Sequence, residues 1–237
     1  MTEVFELQSQ YNRIKGVIIT PDKEGKYPCV ILSHGLVSSK ESSKYIAVSE
    51  VFREAGIATC RFDYHGCGES TGRIEDTTLT IRIENLDCVT AYISGHRLID
   101  PERIGILGSS FGGVTGLIKA SRDKKIRCLS FWATPYTLKR EKGNTISDIR
   151  FSDDIFDDFS RYDILAEAKN VSHALGIHGD MDEVVPYHEG ITIFNSIKEP
   201  KRLEIIKGGD HILSHPDHRQ RAIDLALEWF SGFLLHI

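Results

Sequence analysis

Residues 105–113 read GILGSSFGG. A short apolar run ending at Leu107 leads into Gly108-Ser109-Ser110-Phe111-Gly112, and a helix-compatible run, VTGLIKASR, follows it. A strand that enters a helix through so tight a turn strains its central residue and needs neighbours without bulky Cβ groups, which the two glycines supply. The spacing G-x-S-x-G singles out Ser110, whose Oγ is expected above the carboxyl end of a strand. Ser109 occupies the variable position and is expected to point into packing or the turn. A Gly/Ser turn without chemistry has the same local pattern, so the reading depends on what lies downstream.

A serine hydroxyl is a poor nucleophile until a base takes its proton, and that base needs a carboxylate to hold it. Chain order Ser, Asp, His is the order expected for a serine presented on a strand-to-helix turn of a parallel sheet. Both partners follow in that order. IHGDMDEVVP comes after the penultimate apolar run and GGDHILSHP after the last. His211 is the base expected from its Gly-Gly turn, with His215 and His218 as competitors. Asp182 is the expected acid because it sits where the chain must reverse before VVP, while Asp180 and Glu183 compete and Asp180 is expected to bond turn backbone. The three histidines at spacings of four and three also suggest a metal site, but Pro216 interrupts any continuous helix there and no second ligand cluster accompanies them.

Outward from these segments, short Val, Ile, Leu and Phe-rich runs recur and are closed by Gly, Asp or His: YPCVILSHG, IATCRFDYHG, RIGILGSS, IRCLSFWAT, SHALGIHGD and RLEIIKGGDH. Between them lie helical spacings, with Ile46, Val51, Phe52 and Ala55 on one face and Leu79, Ile83, Leu86, Val89 and Ile93 on the next. RAIDLALEWFSGFLL forms a broad apolar face at the end of the chain. Strand and helix alternating in this way imply an α/β fold, a mostly parallel sheet with helices on both faces and functional groups at the carboxyl ends of the strands. The first residues, EVFELQSQYNRIKGVIITP, read as antiparallel strands at a sheet edge. One interval is too long for an ordinary crossover: residues 136–171, acidic with interleaved aromatics, are expected to form a small cap inserted into a single domain spanning 1–237. The alternative is a long helical crossover with a solvated acidic face.

A hydrophobic share of 41% and a charged share of 27% are those of an ordinary globular chain. A formal charge of -5 gives no reason to expect nucleic acid or an anionic membrane surface as a partner. Neither a secretory segment nor a bilayer-length apolar run is legible, and Cys29, Cys60 and Cys128 lie in apolar runs where a thiol packs as a small hydrophobe, so a cytoplasmic setting is expected. The sheet-edge strands are where a homodimer would pair.

With LSHGLVSSK, RFDYHGCGESTG, GSSFGG and the pair IHGDMDEVVP with GGDHILS in this order, the chain resembles the α/β-hydrolase superfamily. It is most similar in pattern to small cytoplasmic serine esterases of the feruloyl (cinnamoyl) esterase type. The resemblance implies an eight-stranded, mostly parallel sheet, a Ser110, Asp182 and His211 triad, and no cofactor or metal. It also implies an oxyanion hole made of the Leu36 and Phe111 backbone N–H groups, with His34 and Gly35 shaping the turn before Leu36. Phe151, Phe156, Phe159 and Tyr162 are placed to wall an apolar acyl or aryl pocket, or else to form the insertion's own packing face. Asp63 is expected to cap a turn or pair with Arg61. The expected activity is hydrolysis of short acyl or aryl carboxylic esters, small-molecule substrates, through an acyl-serine. An oligopeptidase, a thioesterase or acyltransferase, and a non-catalytic ligand-binding protein are the alternatives.

Overall fold

The computed structural model describes residues 1–22, 25–140 and 144–235. Eight strands form one sheet: β1 (Thr2–Gln8), β2 (Arg13–Ile19), β3 (Tyr27–Ser33), β4 (Ala58–Phe62), β5 (Ile99–Ser109), β6 (Ile126–Trp132), β9 (Ala174–Gly179) and β10 (Lys201–Ile206). Their spatial order is β1-β2-β4-β3-β5-β6-β9-β10. β2 pairs antiparallel with both β1 and β4, and every other pairing in the sheet is parallel. The remaining two strands, β7 (Thr145–Ile146) and β8 (Ile149–Arg150), make a separate hairpin.

The central strands are apolar runs because they are covered on both faces. All seven residues of β3 and all six of β9 are buried, as expected for a parallel sheet sandwiched by helices. On one face lie α1 (Ser43–Glu54) and α7 (Pro216–Leu234), whose Phe52 and Phe230 rings meet edge-on at 5.7 Å. On the other lie α2 (Leu79–Gly95), α3 (Phe111–Arg122) and α6 (Tyr187–Ser196). The α2 face is the one its spacing predicts: Leu79, Ile83, Leu86, Val89 and Ile93 are all buried. On α1 the face is turned. Tyr45, Val48 and Phe52 go inside while Ile46, Val51 and Ala55 are half-exposed, because the Tyr45 hydroxyl donates to the Ser33 carbonyl at 3.1 Å and draws the helix start inward. No helix among the described residues is long and apolar enough to cross a membrane.

The stretch 136–171 departs from its expected place; Glu141, Lys142 and Gly143 within it lie outside the described residues. It holds the β7–β8 hairpin, α4 (Asp154–Phe159) and α5 (Ile164–Ala168), and its two helices fold down onto α2 and α3. Phe151, Phe156 and Phe159 are buried in the core cluster that those helices share, with the Phe159 ring 5.7 Å from that of Phe111. Tyr162 packs against the same cluster and its hydroxyl meets Thr80 Oγ1 at 2.7 Å. The acidic face is not simply solvated either. Asp158 is buried and accepts from the Thr80 N–H at 2.8 Å and the Thr80 hydroxyl at 2.6 Å, placing a carboxylate on the first turn of α2 where the helix dipole favours it.

Asp158 therefore fastens the insertion to α2. Asp158→Ala should lower unfolding free energy by about 1.5–3 kcal/mol, the range for charge-assisted hydrogen bonds. Urea titration measures it; an unchanged midpoint would show that α4 docks through its phenylalanines alone.

Candidate active site

The end of β5 and the start of α3 set the site. Ser110 adopts φ 56°, ψ −126°, a conformation that costs a non-glycine residue of order 1–3 kcal/mol and persists only where its surroundings impose it. Here the surroundings are backbone. A Cβ on Gly108 would lie 2.4 Å from the Gly112 carbonyl oxygen, and one on Gly112 would lie 2.1 Å from that of Ser33. The Ser110 N–H donates to the Trp132 carbonyl at 2.8 Å, tying the turn to β6.

Beyond β9 and β10, two loops bring the other predicted residues to this point. His211 Nε2 is 3.1 Å from Ser110 Oγ, and its Nδ1 is 2.9 Å from Asp182 Oδ2. The loops are stitched together by the Met181 N–H donating to the Gly209 carbonyl at 3.0 Å and the Gly208 N–H donating to Asp180 Oδ1 at 2.6 Å. Asp180 thus bonds turn backbone, and Glu183 accepts weakly from the His211 N–H at 3.4 Å, so of the three carboxylates Asp182 is the one on the imidazole. His215 caps α7, accepting from the Asp217 N–H, and its ring stacks 5.0 Å from that of His218, away from the serine.

The Asp182 side chain is fully buried. Burial works against its charge, but hydrogen bonds from His178 and His211 and from the Val185 amide outweigh it and hold the carboxyl well below its ordinary value of 3.8. His178 went unread in the sequence. Its Nε2 lies 2.9 Å from the Val185 carbonyl and 3.1 Å from Asp182 Oδ2. Both partners only accept, so that nitrogen carries a proton. By the same logic His211 donates from Nδ1 to the ionised Asp182, which leaves Nε2 as acceptor for the serine hydroxyl. The signal for His178 was available: a histidine at a strand's carboxyl end, four residues before the acid.

On the other side of Ser110 lies the turn after β3. A Cβ on Gly35 would sit 3.5 Å from Ser110 Cβ, so the turn abuts the serine without a side chain between them. His34 is fully buried; its Nδ1–H donates to the Gly35 carbonyl at 2.7 Å and its Nε2 accepts from the Tyr64 N–H at 3.1 Å. Burial, with Arg82 and Lys40 nearby, keeps its pKa well below that of a free imidazole. Arg82, also fully buried, donates from Nη2 to the His34 carbonyl and, at 3.2 Å, to the Gly35 carbonyl, with its guanidinium 3.7 Å over the Tyr64 ring. The Gly35 carbonyl and the Leu36 N–H belong to one planar trans peptide and point in opposite directions. Two donors that pin the carbonyl therefore aim the N–H away from them. Arg82 also lies 5.4 Å from the Phe111 ring, so one cation braces both residues expected to supply oxyanion donors.

The pocket expected from the sequence changes here. Phe151, Phe156, Phe159 and Tyr162 do not line the cleft at Ser110, because each is committed to packing on α2 and α3. The cleft, about 260 Å³, is walled instead by Leu36, Val37, Val184 and Ile212, with Ile146 and Ser147 of the hairpin turn as the insertion's contribution. Of the two readings of Asp63, the cap holds and the Arg61 pair does not: it accepts from the amides of Lys40 and Glu69 and takes the Lys40 ammonium at 2.9 Å. Ser109 does turn away from Ser110, but its hydroxyl meets the Lys44 ammonium at 2.8 Å, a contact nothing in the sequence reading anticipated.

Because the folded protein holds Asp182 below 3.8, its charge stabilises the fold above that pH and the contribution drains away as pH falls through and below it. Asp182→Asn should therefore flatten the stability profile between about pH 5 and pH 2. Guanidinium midpoints across that range measure the effect; parallel profiles for the two proteins would refute it.

The chain matches the model of the prolyl oligopeptidase family over residues 47–235. Among curated proteins it is 27% identical over 228 residues to the human mitochondrial palmitoyl-protein thioesterase ABHD10, covering 84% of this chain and 69% of that one. It is 31% identical over 118 residues to an uncharacterized 31.7 kDa protein from the traX-finO intergenic region of Escherichia coli, a match that takes in 48% of this chain. That match spans about two fifths, 41%, of the relative's length. Among solved structures, Est1E from Butyrivibrio proteoclasticus with bound ferulic acid superposes with a TM-score of 0.84 over 98% of both chains at 22% identity. The chain belongs to the prolyl oligopeptidase family and carries the α/β-hydrolase fold.

Proposed function

We propose that the protein is a serine hydrolase that cleaves carboxylic esters of short acyl groups through an acyl-serine intermediate. The observation that carries this reading is the continuous hydrogen-bonded line from Ser110 Oγ through His211 to Asp182. Ser110 Oγ attacks the ester carbonyl as His211 Nε2 takes its proton, and Asp182 holds the imidazole in the required tautomer and stabilises the imidazolium. The oxyanion is taken by the Leu36 and Phe111 N–H groups; His211 then protonates the departing alcohol. Water, deprotonated by the same imidazole, attacks the acyl carbonyl, releasing the acid and restoring the serine. Hydroxyl and charged side chains in the cleft, Ser38, Ser42, Ser43 and Lys44 among them, favour a short acyl group, since a long alkyl chain would desolvate them without return.

The similarity to a palmitoyl-protein thioesterase favours a second reading, a thioesterase using the same residues. Esters and thioesters pass through the same tetrahedral oxyanion and differ in the leaving group, so matched oxygen and sulfur esters of one acyl group separate the two.

Ser110→Ala should lower kcat/KM on 4-nitrophenyl butyrate by at least about 10³-fold and abolish fluorophosphonate labelling, the scale seen on loss of such a nucleophile. Ser109→Ala should retain labelling at Ser110. Folded protein whose Ser110 resists the probe would overturn the hydrolase reading.

A further inference from the structure

Lys44 is buried, 8% exposed, and neither donates to nor pairs with any carboxylate among the described residues. It sits in the first turn of α1, where the positive end of the helix dipole disfavours a cation. Its ammonium rests against Ser109 Oγ, over the Tyr45 ring at 5.4 Å and the Trp132 ring at 5.7 Å. Three ammonium protons meet one hydroxyl, so most of its donor capacity is unspent. Among the described residues, those lining the cleft beside Ser110 include a second cation, Arg219, and no aspartate or glutamate. Arg219 is half-buried and, among the described residues, donates to neutral oxygens alone, the Leu213 carbonyl at 3.2 Å and Ser43 Oγ at 3.4 Å.

Two cations, neither bonded to a carboxylate among the described residues and with only the longer-range field of Asp210 on Lys44, leave a place in the cleft beside Ser110 for an anion from outside the chain. We propose that Lys44 and Arg219 form a carboxylate-recognition subsite, so that the preferred substrate is an ester whose acyl part carries a second, free carboxylate. This rests on the hydrolase reading for its chemistry but not for its binding. A carboxylate is the matched ligand because, among the residues that line the cleft, Lys44 offers a directional ammonium and Arg219 a planar fork. Ser42 and Ser43, at the start of α1, add hydroxyl donors to the same wall. The buried cation also supplies selectivity by default: an uncharged acyl chain in that place would leave the ammonium desolvated without a partner.

Burial, with Arg219 adding to it and Asp210 opposing it, brings the Lys44 pKa down to about 8. The preference should therefore hold at neutral pH and fade as pH rises through about 8, where the ammonium loses its proton. The other groups around it are His211 and His178 on the loop side and the Tyr45 hydroxyl on α1. The Ser110–His211–Asp182 line serves charged and uncharged esters alike, so a ratio of the two isolates Lys44.

The experiment compares 4-nitrophenyl hemiesters of the four-, five- and six-carbon diacids with their uncharged branched isosteres, in which an isopropyl group replaces the carboxylate. At pH 7 the wild-type protein should favour at least one hemiester by tenfold or more in kcat/KM. That ratio should fall to about one in Lys44→Met, which keeps length and removes charge, and part-way in Arg219→Gln. A wild-type ratio near one for all three pairs, or a ratio that does not decline above pH 8, would overturn the proposal even if Lys44→Met failed to fold. Fluorophosphonate labelling of Ser110 distinguishes the two failures: labelled protein with no preference leaves the hydrolase reading standing. Should labelling fail, calorimetric titration with adipate still decides the subsite. Binding that is lost in Arg219→Gln supports it, and absence of binding to the wild-type protein overturns it.

Discussion

The site depends on a contact in which no side chain takes part. The backbone of β3 at Ser33 comes so close to the start of α3 that Gly112 has no room for a Cβ, and Gly108 and Gly112 press on each other in the same way across the turn. This packing forces Ser110 into its positive-φ conformation. It also sets the turn after β3 directly against the serine, with Ser33 Oγ donating to the Gly112 carbonyl at 2.8 Å as a local brace. Ser110 and the turn that carries Leu36 are consequently one rigid unit. A methyl group at either glycine would separate them and displace both, so strain at Ser110 and placement of Leu36 have a single cause.

Around that unit two buried charges, Arg82 and Asp182, are held by neutral groups rather than by opposite charges among the described residues. Arg82 is held by the carbonyls of His34 and Gly35 and by an aromatic face, and it has no carboxylate partner among the described residues. Asp182 is held by two imidazoles and by the Val184 and Val185 amides. A buried charge satisfied by neutral dipoles keeps its field, whereas one paired with its opposite largely cancels. The field of Arg82 thus stays directed at the turn it braces, and that of Asp182 at the imidazole. His178 has a corresponding part. It donates to Asp182 Oδ2 and to the Val185 carbonyl, so a second imidazole ties the carboxylate to its own loop while His211 Nδ1 lies within 3.0 Å of both carboxylate oxygens.

What could be read in the sequence follows from how local each constraint is. The elbow, the order of Ser110, Asp182 and His211, and the two-sided burial of the strands are all written in short windows, because turn chemistry and sheet burial act over a few residues. The face of α2 was legible for the same reason. The face of α1 was not: spacing placed Ile46 and Val51 inwards, but the Tyr45 hydroxyl's bond to Ser33, twelve residues away in the chain, rotates the helix and carries Lys44 in with it. The aromatics of 136–171 misled in a related way. Their spacing announces an apolar face without saying what that face meets, and the Asp158 anchor to Thr80, 78 residues distant, turns it towards α2 and α3 rather than the cleft. For Asp63 the local window leaves a turn cap and the adjacent cation, Arg61, both open; it caps, and its ionic partner is Lys40, brought in by a loop 23 residues away. Each miss is a long-range polar contact that overrides a local apolar pattern.

These polar contacts explain why the cleft is small and charged despite the apolar insertion above it. Once Asp158 and the phenylalanines commit α4 and α5 to the outer helices, Ile146 and Ser147 of the hairpin turn are what the insertion's described residues contribute to the cleft at Ser110. The opposite wall is then left to the start of α1, where the Tyr45 rotation has already placed an ammonium. Two independent tethers, Asp158 to Thr80 and Tyr45 to Ser33, therefore determine the character of the cleft between them. One withdraws aromatic surface and the other introduces charge, though neither residue touches the serine.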